Sequence, residues 1–170
     1  MPDILTVRYA QTGKSTADNA MGMREMQARA YEKRDAQYLL IKAPPASGKS
    51  RALMFLGLDK VMKQGLDKVI VAVPEMSIGG SFKDTDLTSY GFFADWHVDP
   101  RYNLCTPGNV GKVDRVVEFM KQTKEHYLIC THATFRFAYE RIKNASDFDK
   151  TLVAIDEFHH TSAEEGNILG

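Results

Sequence analysis

The chain has 170 residues, 44% hydrophobic and 26% charged, with 22 Lys and Arg balanced by 22 Asp and Glu. That size and composition suit one globular domain with a real core, and exclude a strongly basic chain that would coat nucleic acid by charge alone. No apolar run approaches the roughly 20 residues of a membrane span, and MPDILTVRYAQTGK lacks the basic-then-apolar order of a signal peptide, so no membrane partner is expected.

In chain order, Ile4–Tyr9 is strand-like and leads to a first Gly-Lys-Ser step, Gly13-Lys14-Ser15. Residues 38–42 (YLLIK) are the next strand-like run and lead to APPASGKSR, with a second Gly48-Lys49-Ser50. The apolar residues Leu53, Met54, Leu56, Leu58, Val61 and Met62 then predict a helix with one apolar face, stopped near Gly65. Residues 68–73 (KVIVAV) read as a buried strand closed by Pro74, and 75–101 as irregular. Residues 102–106 are a further strand, 110–123 a helix, 126–131 a strand, 133–143 a helix, and 151–155 a last strand before Asp156-Glu157. Cys105 and Cys130 lack metal-type spacing and read as reduced thiols in buried strands of a cytoplasmic protein.

Continuously apolar strands alternating with helices predict an α/β fold: a mostly parallel sheet with helices on both faces. Ligands in such sheets sit beyond the carboxyl ends of the strands. Of the two Gly-Lys-Ser steps, only the second lies between a strand and an immediate helix, whose free N–H groups and dipole suit phosphate. The loop Pro45, Ala46, Ser47, Gly48, Lys49 and Ser50 is therefore the phosphate-binding candidate, and Lys14 belongs to a surface turn bordering the pocket. A nucleotide triphosphatase also needs an acidic group for Mg²⁺ at a neighbouring strand end. Asp156 supplies it, sharing the ion with Ser50, while Glu157 takes the proton of an attacking water.

APPASGKS together with IDEFHH resembles the first motor domain of superfamily-2 DEAD/DEAH (DExH) helicases, and is similar to the motor subunits of type I and type III restriction enzymes. The resemblance implies a RecA-like P-loop fold, ATP and Mg²⁺ as cofactors, and a nucleic-acid partner, DNA rather than RNA. Residues 1–170 are then the first RecA-like ATP-binding domain, with 1–19 as a strand-and-loop extension. It further implies that Lys49 neutralises phosphate charge and that Gln27, with Arg24 nearby, reads adenine. His159 couples hydrolysis to nucleic acid, with His160 less specific; Pro74, Ser77, Thr131 and Thr134 contact its backbone. Pro45 and Ala46 depart from the family's usual Thr and Gly, and Pro45 cannot donate a hydrogen bond. The family's domain continues to a strand with a Ser/Thr-Ala-Thr motif and a second RecA-like domain. TSAEEGNILG contains neither, so the chain reads as a fragment truncated at its C-terminal side, weak in unaided hydrolysis.

Two alternatives share these residues: a P-loop kinase or small-molecule NTPase, and a nucleotide-binding regulatory module. Tyr90, Phe92, Phe93 and Trp96 either stack on bases or pack the 75–101 segment against the sheet.

Overall fold

The computed structural model describes residues 3–6, 19–44, 46–108 and 110–157; the first Gly-Lys-Ser step with Lys14, Pro45, His159 and His160 lie outside them. Among the described residues, five strands and four α-helices follow in order: β1 (Asp3–Thr6), α1 (Glu25–Glu32), β2 (Leu39–Lys42), α2 (Lys49–Met62), β3 (Lys68–Val73), α3 (Lys112–Lys121), β4 (Tyr127–Thr131), α4 (His132–Ile142) and β5 (Thr151–Ile155). Short 3-10 turns occupy Met76–Phe82, Thr88–Tyr90, Pro100–Tyr102 and Ala145–Phe148. None of the described helices is long and apolar enough to cross a membrane.

All strand pairing in these ladders is parallel, and the fold is α/β. The pairing falls into two ladders, β1–β2 and β4–β3–β5, rather than a single one. β3 is the centre of the larger ladder. Its six residues are all buried, because α2 packs on it as well as α4, and an apolar strand covered on both faces needs no polar alternation. α2 comes so close that a Cβ at Gly57 would stand 3.3 Å from Cγ1 of Val69.

That closeness corrects the single apolar face expected of α2. Its buried residues run consecutively from Met54 to Asp59, since α1 covers its other side, whereas Met62, read as part of the apolar face, is 57% exposed. The buried Asp59 is tolerated because its carboxylate accepts from the Tyr31 hydroxyl at 2.6 Å and from Gln64 Nε2 at 2.7 Å.

The strand expected over 102–106 does not form. Asn103 makes one parallel bridge to Ile129, with Leu104 N–H donating to the Ile129 carbonyl at 2.8 Å. The Asn103 side chain then accepts from Cys105 N–H, and Thr106 Oγ1 donates to the Asn103 carbonyl. These local bonds turn the chain before a second rung can form. Cys105 is thus a buried thiol in a turn, packed on Gly79, while Cys130 lies within β4 as read.

The aromatics divide. Phe92 and Trp96 are buried, and the Trp96 indole donates to the Phe82 carbonyl at 2.9 Å. Phe93 is half-buried beneath the Lys63 ammonium, 4.1 Å from its ring. Tyr90 alone of the four is exposed. Packing therefore accounts for the first three.

Candidate nucleotide site

The loop after β2 and the strand end after β5 meet. Lys49, the first residue of α2, places Nζ 3.4 Å from Oε1 of Glu157, 108 residues away in sequence. Both side chains are about a quarter exposed, at 25% and 28%, so the pair looks onto solvent rather than into the core. One cavity joins Gly22, Arg24, Gln27, Ala46 through Arg51, Asp156 and Glu157.

The loop owes its shape to residues in the left-handed region. Gly48 caps α2 at φ +88, and a Cβ there would stand 2.5 Å from Gln27 Nε2. Only glycine meets both demands. Ala46 has φ +59, and Glu157 has φ +56. A side chain in that region costs on the order of 1–2 kcal/mol, so the backbone is strained on both sides of the cavity. Ser47 is buried, yet its Oγ has no hydrogen-bond partner among the described residues. An orphaned hydroxyl beside a helix N-terminus fits an oxyanion.

Gln27 is fixed before any ligand arrives. Its Oε1 accepts from Arg24 N–H at 2.8 Å, and its Nε2 donates to the Gly48 carbonyl at 3.1 Å. Gln27 is 2% exposed. It clasps α1 to the phosphate loop, which leaves one amide hydrogen and one lone pair for a base.

Asp156 is the more buried acid. Its N–H donates to the Ala72 carbonyl at 2.9 Å, which extends the β3–β5 ladder and fixes its place. Burial pushes its carboxyl above the usual range, and the Lys49 charge works against that rise. A carboxylate under such pressure gains from a cation. Asp156 and Ser50, hard oxygen donors lining one cavity, suit Mg²⁺, and no group of three or more His, Cys, Asp or Glu among the described residues offers a competing metal centre.

Sequence reasoning gave His132 no role, although it lies within 131–134, just beyond an apolar strand. It is buried at the start of α4, with Nε2 at 2.8 Å from the Asp156 carbonyl. A carbonyl only accepts, so Nε2 carries the hydrogen, and the imidazole ties β4 to the acidic strand end. Its signal was position: a polar residue directly beyond an apolar strand. Gly80, Ser81 and Lys83 also line the cavity, and nothing in the irregular 75–101 stretch marked them.

The four residues matched to nucleic-acid contact lie along the same carboxyl edge. Val73 pairs with Thr131, which sets Pro74 beside the start of α4, and Ser77 is exposed. Thr131 caps α4: its Oγ1 accepts from Thr134 N–H at 3.2 Å and lies 3.1 Å from Thr134 Oγ1.

No protein-family model matches the chain, and no solved structure does. Over its full 170 residues the chain is 62% identical to "Putative ATP-dependent helicase YeeB" of Bacillus subtilis (strain 168), and spans 28% of that protein's length. The glycine-capped loop, the acids facing its lysine and this similarity over the whole chain are the findings that bear on what the chain does.

Proposed function

We propose that the chain is the ATP-binding motor domain of an ATP-dependent nucleic-acid helicase or translocase, acting on DNA rather than RNA and completed by a second RecA-like domain. The observation that carries this reading is the meeting of Lys49 with Glu157 at 3.4 Å, with Asp156 beside them. The similarity to a protein named "Putative ATP-dependent helicase YeeB" supports the motor over a kinase or a regulatory module.

In this reading the N–H groups of Ala46 through Ser50 and the Ser47 hydroxyl hold phosphate oxygens, and Lys49 neutralises their charge. Ser50 and Asp156 would hold Mg²⁺, which would supply positive charge against that of the phosphates. Glu157 takes the proton of the attacking water at its carboxylate. The Lys49–Glu157 pair holds each group in reserve: phosphate competes for the ammonium, and the freed carboxylate becomes the base. Pro74, Ser77, Thr131 and Thr134 form the nucleic-acid edge, and His159 communicates between that edge and the site.

The test is ATP hydrolysis by a polypeptide in which this chain is followed by the second domain, with and without single-stranded DNA. The reading expects stimulation by DNA, lost in Lys49→Ala and in Glu157→Gln. A rate indifferent to both DNA and RNA contradicts the motor.

A further inference from the structure

Tyr90 is held in place by contacts that do not require its own ring. Gly91 follows it at φ +107, and a Cβ there would stand 1.9 Å from the Ala20 carbonyl oxygen. Gly22 has φ +75, and a Cβ there would stand 2.6 Å from Tyr90 Cβ. Two glycines thus interlock the turn at Thr88–Tyr90 with the segment leading into α1. Both segments are internally braced. Asn19 Oδ1 accepts from the N–H groups of Met21 and Met23, each at 2.9 Å. Asp95 accepts from Leu87 and Thr88 N–H, and Asp86 from Ser89 N–H.

The scaffold is braced by these bonds, yet the ring it carries is 58% exposed. Its one described ring partner is Arg51, whose guanidinium lies 5.9 Å from the ring centroid. Arg51 directly follows Ser50 and lines the phosphate-loop cavity with Gly22, Arg24, Gln27 and Met54. This wall meets the loop through Gln27 and Gly48, whereas Glu157 meets it through Lys49. Tyr90 does not itself line the cavity but stands beside this wall, against Gly22 and Arg51, where the other end of a ligand with its terminal phosphate at Lys49 would pass. Two guanidinium planes and a phenol ring are groups on which a flat aromatic base stacks.

We propose that Tyr90, backed by Arg51, is the base-stacking residue of this site and takes the purine ring of a nucleoside triphosphate. The proposal rests on the nucleotide reading above and adds to it a platform from the 75–101 segment, away from the phosphate loop and the acid pair. Tyr90 acts on affinity and base preference, and Lys49 on phosphate.

Calorimetric titration of the 170-residue chain separates the two, with Mg·ATP and Mg·tripolyphosphate as probes. Tyr90→Ala is expected to weaken ATP about tenfold, as loss of one stacked base does, while tripolyphosphate binding stays unchanged. Tyr90→Phe is expected to retain ATP affinity, and Lys49→Ala to lose both ligands. ATP binding unchanged in Tyr90→Ala but lost in Lys49→Ala overturns the platform and leaves the nucleotide reading standing. Equal losses for both ligands in Tyr90→Ala, with a lowered melting temperature, overturn it in favour of a structural role. Unchanged ATP affinity with weakened single-stranded DNA binding assigns the ring to nucleic acid and overturns it as well. Failure of the unaltered chain to bind either probe overturns both readings.

Discussion

The loop after β2 and the turn after β4 each leave a parallel strand at its carboxyl end, and they treat their polar groups in opposite ways. At the β4 end, Thr131 and Thr134 satisfy one another and cap α4. At the β2 end, Ser47 keeps a buried hydroxyl with no partner among the described residues, and Ala46 holds a backbone conformation suited to glycine. Unspent hydrogen bonding and strain are the observations on which the proposed phosphate loop rests. The internally satisfied turn is explained by the helix it starts, and its contact with nucleic acid rests on the family resemblance. The difference separates a site that the geometry itself points to from one that geometry only permits.

The largest expected effects lie on the strained side. In the two-domain polypeptide, Lys49→Ala lowers ATP hydrolysis by at least about a hundredfold, the scale for losing a preorganised charge partner. Glu157→Gln has a similar effect on rate but retains nucleotide affinity, so binding measured beside turnover tells the two roles apart. Gly48→Ala comes next. A methyl at φ +88 beside Gln27 Nε2 is expected to weaken ATP affinity about tenfold, from a strain of roughly 1–2 kcal/mol. Affinity equal to that of the unaltered chain would remove the claim that the clasp shapes the loop.

Asp156→Asn tests the acid by its stability. Burial raises the folded-state pKa above 3.8, so the folded chain binds more protons than the unfolded chain between 3.8 and the raised value. Stability from this group is complete below pH 3.8 and is lost as pH rises through the folded pKa. At neutral pH without Mg²⁺, the asparagine variant is expected to melt higher, and the gap to close once pH falls below 3.8. A lower melting temperature at neutral pH would contradict the burial account. The smallest effect belongs to the satisfied turn: Thr131→Ala costs about 1 kcal/mol of helix capping, some 2–4 °C in melting temperature, with ATP affinity unchanged, and Thr131→Ser is nearly silent.

Sequence reading reached β3, β4 and β5 closely because each is an apolar run bounded by polar residues. It chose Lys49 over Lys14 from the strand before and the helix after; Lys49 lies 3.4 Å from Glu157, and Lys14 lies outside the described residues. It read 102–106 as strand because periodicity does not register an Asn side chain bonding to Cys105 N–H. The two faces of α2 escaped because burial by α1 is a tertiary fact, absent from the pattern of one helix. His132, Lys83 and the glycine interlock around Tyr90 escaped for the same reason. Each depends on segments that meet only in the fold.

The central claim is that the loop Ala46–Ser50 is a nucleotide site centred on Lys49. Titration of Mg·ATP into the 170-residue chain and its Lys49→Ala variant tests it most directly. The account predicts saturable binding at one site in the chain and its loss in the variant. Equal binding by both, or none by the unaltered chain, would contradict it.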